Sequence, residues 1–125
     1  MTHSHDSASR PAQFLQKNIG LLPKGRALDI AMGRGENAIY LARMGFEVEG
    51  VDVSAEAVHN ASEAAQRAGV TLKAEITDLE HKYVIKEGTY DVIICFRYLQ
   101  RSLIPQIKDG LRNGGMVVYE TFTVD

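Results

Sequence analysis

The sequence predicts a three-layer α/β fold built on a parallel β-sheet. Short apolar runs that suit strands alternate along the chain with longer segments of helical periodicity. The run at 92–95, Val-Ile-Ile-Cys, is continuously apolar, which is typical of a central parallel strand buried on both faces. Strands that alternate with helices predict a parallel sheet with right-handed crossovers and helices packed on its faces.

Start and stop signals define the elements in the first half of the chain. Pro11 suits the first turn of a helix over 11–21, and Gly20 suits its end. Ser54 is placed to cap the helix that follows the second strand. The other elements predicted here are strand 26–30, helix 36–44, strand 46–51 and helix 55–68.

The second half continues the alternation, with one irregular stretch at 79–88. Pro105 suits only the first turn of a helix, so the sequence does not fix where the helix near 103–111 begins. The remaining predicted elements are strand 70–76, strand 91–96, a turn at 113–115 and a final strand over 116–124.

Composition narrows the classes of function. The length of 125 residues suits one domain, and 45% hydrophobic with 24% charged residues is typical of soluble globular proteins. A formal net charge of −2 without a basic block gives no reason to expect a nucleic-acid or membrane partner. The one cysteine, Cys95, cannot form an internal disulfide, which fits a reducing cytoplasm. We expect residues 1–10 to be a flexible tail and residues 11–125 a single domain.

The most informative segment is the end of the first strand and the turn after it. The strand contains Asp29 and leads through a Gly33-x-Gly35 turn into a helix, and the second strand ends at Asp52. Asp52 follows Gly33 by about twenty residues, the spacing of a nucleotide-binding fingerprint. This arrangement predicts a nucleotide-type pocket at the carboxyl edge of the sheet. The alternative is a tight turn that needs glycine for its geometry and binds nothing.

Asp29 distinguishes between two kinds of nucleotide ligand. A dinucleotide places its pyrophosphate against the helix N-terminus, where Asp29 and Glu36 would repel it. The two carboxylates instead suit a ligand with positive charge, such as the α-ammonium and sulfonium groups of S-adenosylmethionine (SAM). The alternative role for Asp29 is an ion pair with Arg26 or Arg34.

Further candidates lie at the same edge of the sheet. Asp52 is placed to accept hydrogen bonds from two ribose hydroxyls, or otherwise to cap the helix after Ser54. Asp78 follows the third strand and could accept from an adenine amino group with Leu79 packing nearby, or be an ordinary turn aspartate. Phe96, after the fourth strand, could border the ligand or belong to the core.

Other chemically active residues are given structural roles. Arg97, Tyr98 and Arg101 could reach a substrate or an anion, but for Arg97 and Arg101 we favour the interpretation that they lie in a solvated, charged turn. Cys95 is expected to be a buried strand residue, not a nucleophile.

No metal site is predicted. His3 and His5 could bind a metal in principle, but a disordered terminus is favoured. His59 and His81 lack metal-ligand spacing and are expected at the surface.

Four segments resemble the motifs of class I SAM-dependent methyltransferases in their order along the chain. They are the glycine-turn motif at 28–37, the second-strand motif at 50–54, the fourth-strand motif at 90–95 and the turn at 111–115. Residues 33–42 together with 119–122 look most like the tellurite-resistance-type branch. The resemblance covers about 14–124 and implies a Rossmann-like core, SAM as cofactor and transfer of its methyl group to a small-molecule acceptor, which the branch suggests is a metalloid oxyanion.

The resemblance also implies roles for individual residues. Ala31 stands where the family often has its first glycine. Residues implied at the methionine end of SAM are Asp29, Gly33, Gly35 and Phe96, with Asn37 implied to help from the helix start. Those implied at the adenosine are Asp52, Val53, Asp78 and Leu79. No catalytic residue is nominated.

The family fold has seven strands in the order 3-2-1-4-5-7-6, whereas this chain supplies five. The last strand would therefore be an exposed apolar edge, which favours an incomplete domain lacking the final two strands; pairing with a second copy as a homodimer is the alternative. Two other functions stay open: a fragment of an NAD-dependent oxidoreductase, and a non-catalytic SAM-fold module for binding or interaction.

Overall fold

A five-stranded parallel sheet forms the centre of the structure. The computed structural model describes residues 10–79, 83–96 and 103–120. Its strands are β1 (Arg26–Ile30), β2 (Glu47–Asp52), β3 (Leu72–Ile76), β4 (Tyr90–Phe96) and β5 (Leu111–Glu120). Its helices are α1 (Gln13–Asn18), α2 (Glu36–Arg43), α3 (Ala55–Ala68) and α4 (Ile104–Gly110), with a 3-10 turn at Ile19–Leu21 after α1. The strands lie in the order β3-β2-β1-β4-β5 and all neighbouring pairs are parallel, as predicted.

Several residues predicted to begin or end helices do so in the structure. The side-chain Oγ of Ser54 accepts a hydrogen bond from the backbone N–H of Ala57 at 3.1 Å, so it caps α3 as expected. Gly69 ends α3 in the left-handed conformation. Pro105 is the second residue of α4, where a missing N–H leaves no helix hydrogen bond unmade. The predicted first helix is shorter, because the chain tightens into the 3-10 turn after Asn18.

The sequence predicts that a turn at 113–115 precedes the last strand. This prediction is wrong, because β5 already begins at Leu111. Tyr90 faces Leu111 and Val92 faces Met116, so residues 112–115 bulge out opposite a single residue of β4. Gly114 lies at φ +83°, a conformation that glycine adopts without a steric cost. The turn-forming residues therefore make an irregularity inside β5, because pairing with β4 resumes on both sides of them.

Two apolar clusters pack on opposite faces of the sheet. Along β1, Ala27 belongs to one cluster and its neighbour Leu28 to the other, as the alternation of side chains in a strand requires. The first cluster includes buried residues of α1 and α2, and the second includes residues of α4. The core of each face therefore fixes the position of the strand ends that carry the site.

The last strand lies at one edge of the described sheet, as expected. Met116, Val117 and Tyr119 of β5 are exposed apolar side chains. Within the described residues, none of the helices has the length and apolar character needed to cross a membrane. The predicted tail at 1–10 lies outside the described residues except for Arg10.

Candidate functional site

A cleft of about 540 Å³ opens at the carboxyl ends of β1, β2 and β4. Its volume lies in the range of pockets that hold small-molecule cofactors. Ligands of open parallel sheets bind at this edge, beyond the strand ends. The described residues that line the cleft are Asp29, Ala31, Met32, Gly33, Arg34, Glu36, Asn37, Asp52, Val53, Leu79 and Phe96.

The cleft brings together eight of the ten residues that the sequence singled out. Gly35 and Asp78 are the two that do not line it. Met32 lines it but was missed, because an apolar residue between two turn residues gives no chemical signal in the sequence. Arg34 and Glu36 also line it; the sequence had offered Arg34 only as an ion-pair partner and Glu36 as a charge near the ligand.

The loop after β1 has an unusual backbone. Ala31, Gly33 and Gly35 have φ angles of +59°, +57° and +83°. Left-handed backbone costs a residue with a Cβ roughly 1–2 kcal/mol, so Ala31 holds strain that the two glycines avoid. Met32 secures the loop, because its N–H donates to the Val51 carbonyl at 3.0 Å and its carbonyl accepts from the Gly35 N–H at 3.0 Å.

Asp52 holds this loop to the end of β2. Its Oδ2 accepts from the Gly33 N–H at 2.9 Å, and its Oδ1 accepts from the Ser54 N–H at 2.9 Å. The alternative role for Asp52 was to cap the helix after Ser54. Asp52 holds the Ser54 N–H at the start of this helix, but the side chain of Ser54 itself caps α3. A carboxylate has about four acceptor positions. Asp52 can therefore still accept from ligand hydroxyls while it positions the loop.

Asp29 is buried at the base of the cleft. It is 2% exposed, and its Oδ2 has no hydrogen-bond partner among the described residues. The alternative ion pair with Arg26 is wrong, because Arg26 Nη2 lies 2.7 Å from Glu49 Oε2. Burial raises the pKa of Asp29 well above its usual value, and the negative charges of Glu36 and Asp52 raise it further.

Gly35 serves the packing of two helices. A Cβ at this position would lie 2.8 Å from the Cβ of Ala61 in α3. Gly35 also caps α2 in the left-handed conformation. The glycine is therefore required by helix contact and backbone geometry, and it shapes the cleft indirectly.

The other candidates have structural contacts of their own. Asn37 Oδ1 accepts from the Ala12 N–H at 2.7 Å, so it ties the segment before α1 to the start of α2. Phe96 is both a core residue and a cleft residue, which joins the two roles that the sequence left open. Asp78 lies beyond the end of β3, and its carbonyl accepts from the Tyr83 N–H at 3.0 Å.

Cys95 and His59, for which the sequence favours structural roles, lie within the described residues. Cys95 is buried, and burial together with the charge of Asp29 raises its pKa to about 12, so its thiol stays protonated. His59 is exposed and lies 3.4 Å from Glu63 on the same helix. In the described part of the chain, no three His, Cys, Asp or Glu residues are grouped to hold a metal ion. Candidates outside the described residues are His3, His5, His81, Arg97, Tyr98 and Arg101.

Comparison with known families finds one match that spans most of the chain. A family model described as "Methyltransferase domain" matches residues 27–115. This range begins in β1 and ends in the irregular part of β5, so it contains the loop, Asp52 and the cleft.

Curated relatives of this chain are also named as methyltransferases. Ubiquinone biosynthesis O-methyltransferase from Burkholderia ambifaria is 32% identical over an alignment of 101 positions, and the match covers 77% of this chain and 44% of the relative. The protein of that name from Colwellia psychrerythraea is 26% identical over an alignment of 124 positions, and the match covers 87% of this chain and 50% of the relative. The chain thus spans about half the length of the curated relatives it matches.

A solved structure shows the same fold. The tRNA (uracil-54, C5)-methyltransferase from Pyrococcus abyssi, in complex with S-adenosyl-L-homocysteine, superposes with a TM-score of 0.71 and 24% identity. The match covers 85% of this chain and 26% of that structure. The likeness shows a shared Rossmann-like arrangement of strands and helices.

Proposed function

This chain belongs to the family of class I SAM-dependent methyltransferase domains, and from that membership we propose that its cleft holds SAM for methyl transfer to a small-molecule acceptor. The observation that carries the proposal is Asp29, a buried carboxylate whose Oδ2 is unpartnered in the described structure and which lines the cleft beside Glu36 and Asp52. A buried acid with an unpartnered oxygen suits a cationic ligand and disfavours a pyrophosphate.

The proposed contacts follow the geometry of the cleft. Asp52 receives the ribose hydroxyls with the acceptor positions that Gly33 and Ser54 leave free. Asp29 and Glu36 face the positively charged methionine end. The remaining proposed cofactor residues are Ala31, Gly33, Asn37, Val53, Leu79 and Phe96 in the cleft, with Gly35 and Asp78 beside it.

When bound, SAM would supply an activated methyl group on its sulfonium, for transfer to a nucleophilic acceptor with neutral S-adenosylhomocysteine as the leaving group. The chain's own contribution is to hold the reacting atoms near attack distance, roughly 3–3.5 Å, which lowers the barrier without covalent help. Val53 is an exposed apolar residue at the rim, and Leu79 and Phe96 are buried apolar residues in the wall. They exclude water from one side of the cleft. We nominate no general base, since an acceptor that is already an anion needs none.

For the acceptor we propose a small molecule. The resemblance of residues 33–42 to the tellurite-resistance-type branch favours a metalloid oxyanion. The names of the O-methyltransferase relatives favour a hydroxyl acceptor instead. Transfer of a labelled methyl group by the whole protein, with tellurite and with a catechol as competing acceptors, distinguishes these two acceptors.

We further propose that residues 11–125 form the cofactor-binding part of a cytoplasmic methyltransferase and that β5 is covered when the enzyme is complete. The exposed side chains of Met116, Val117 and Tyr119 support this proposal. Pairing of two copies through β5 is the alternative. Light scattering after size-exclusion chromatography separates them, since a monomer of this chain removes the pairing alternative.

The decisive experiment is calorimetric titration of the chain with S-adenosylhomocysteine (SAH), with NADH as the contrasting ligand. We expect SAH to bind with a Kd in the micromolar range and NADH not to bind. The variant Asp52→Ala should weaken SAH binding, whereas Asp109→Ala, an exposed aspartate outside the cleft, should not. Binding of NADH alone would establish the oxidoreductase alternative, and binding of neither ligand would contradict a preformed cofactor site.

A further inference from the structure

Asp29 holds one of the two buried side-chain polar atoms that lack a hydrogen-bond partner in the described structure; the other is Arg26 Nε. Asp29 lies inside β1 with 2% of its surface exposed, and its unpartnered atom is Oδ2. Removing one ionised carboxylate from water without a partner is costly, and such a group keeps its proton instead. Burial, together with the charges of Glu36 and Asp52, therefore favours the neutral form of this acid in the absence of a cationic ligand.

The groups that face Asp29 from the neighbouring elements do not supply a compensating cation. Asp52 faces it from β2 and Glu36 from the first turn of α2, and both are acidic. Cys95 of β4 belongs to the cluster on the opposite face of the sheet, and its thiol, whose pKa burial and the charge of Asp29 raise, stays protonated. Of the described residues that line the cleft, Arg34 alone is cationic, and its side chain is exposed. Among the described residues none supplies a buried positive charge to Asp29, and a cationic ligand in the cleft can supply one.

We propose that Asp29 gives up a proton when the cationic cofactor enters the cleft, so that cofactor affinity is linked to pH and to the positive charge of the ligand. This inference rests on the proposed binding of SAM. The proton passes from the Asp29 carboxyl to the buffer, and no bond to the ligand forms. The ionised carboxylate then lies against the positive charge of SAM, which offsets the cost of burying it.

The direction of the pH effect follows from linkage. Burial, Glu36 and Asp52 raise the pKa of Asp29 in the free protein, and a bound cation lowers it. Between these two pKa values the free protein carries a proton that the complex lacks. SAM affinity therefore rises with pH across that window, by up to tenfold per pH unit, and is constant above it.

The test is calorimetry of SAM binding in pairs of buffers with different ionisation enthalpies, repeated from pH 5 to pH 8. We expect net proton release at the pH values that lie between the Asp29 pKa of the complex and that of the free chain, and no more than one proton per SAM. The variant Asp29→Asn, which cannot ionise, should bind SAM with no such release. Asp109→Asn makes the same chemical change at an exposed position outside the cleft and should behave as the unmodified chain does.

Methylthioadenosine supplies a control ligand, since it keeps the adenosine but lacks both the ammonium and the sulfonium. We expect it to bind without proton release. SAM binding without release at any pH would overturn the inference and leave the proposed function standing. Equal release with methylthioadenosine would also overturn it, because the ligand's charge would not be the cause. Failure of SAM to bind at all would instead contradict the proposed function.

Folding of the Asn variant does not limit the test. The unmodified chain alone gives the buffer dependence, and infrared difference spectra report the same event directly. The carbonyl band of a protonated carboxyl should disappear when SAM is added and persist when methylthioadenosine is added. A band unchanged by SAM would contradict the proposal.

Discussion

The Oδ2 atom of Asp52 accepts a hydrogen bond from the Gly33 N–H at 2.9 Å, and this contact joins the end of β2 to the loop after β1. The second oxygen of the same carboxylate holds the Ser54 N–H at 2.9 Å. One side chain therefore fixes the backbone on both sides of the cleft. A residue predicted to bind a ribose also determines the shape of the site before any ligand is present.

Replacing Asp52 by alanine should therefore affect stability as well as binding. We expect the free energy of unfolding to fall by about 1–3 kcal/mol, because two backbone donors lose charged acceptors. SAH binding should weaken by at least about tenfold. Urea unfolding and calorimetry measure the two effects, with Asp109→Ala as the control. Loss of binding at unchanged stability would show that the loop does not depend on Asp52.

The two glycines of the motif should respond differently to substitution by alanine. A Cβ at Gly33 meets no atom within 4 Å, whereas a Cβ at Gly35 meets Ala61 at 2.8 Å. Both positions have positive φ, so each substitution should cost about 1–2 kcal/mol of backbone strain. Gly35→Ala should cost more in urea unfolding, because α2 and α3 must also move apart.

A second substitution isolates the steric part of this effect. Ala61→Gly removes the opposing methyl group but costs about 1 kcal/mol of helix propensity in α3. Combined with Gly35→Ala it should be less destabilising than the sum of the two single changes. Additive losses would mean that the contact between Gly35 and Ala61 does not limit the packing of the helices.

Sequence reasoning succeeds where the signal is local and fails where it depends on distant contacts. The bounds of β1 and α3 match the prediction because their caps and glycines lie within a few residues. The bond from Ala12 to Asn37 joins residues 25 positions apart, and no local pattern reveals it. The bulge at 112–115 was missed for the same reason, since pairing with β4 decides it.

The candidate site also combines features that local sequence signals predict with features that distant contacts decide. The residue types and their spacing predicted a cleft with Asp29 and Asp52 near the carboxyl ends of two strands, and both residues line the cleft in the structure. That Oδ2 of Asp29 would lack a hydrogen-bond partner among the described residues could not be predicted, because the sequence left an ion pair with Arg26 or Arg34 open as an alternative. Arg26 pairs with Glu49 because the two residues lie on adjacent strands, and Tyr90 donates to the same carboxylate at 2.7 Å.

The unliganded chain should lose stability with rising pH through Asp29. Its folded-state pKa is raised, so above the unfolded pKa near 3.8 the folded chain binds more protons than the unfolded chain. The free energy of unfolding therefore falls as pH rises from there to the folded pKa and then levels off. Asp29→Asn should remove this part of the slope in urea unfolding between pH 4 and pH 8. An identical slope in the variant would contradict the raised pKa.

Cys95 should resist alkylation in the folded chain. Burial and the neighbouring Asp29 raise its pKa to about 12, so at pH 8 only about one thiol in ten thousand is ionised. The unfolded chain should react with iodoacetamide roughly a thousandfold faster, because its thiol is exposed and titrates near its usual pKa. Because the chain has one cysteine, mass spectrometry of the modified protein reports this site alone. A folded-state rate within about tenfold of the unfolded rate would show that the β4 face opens readily.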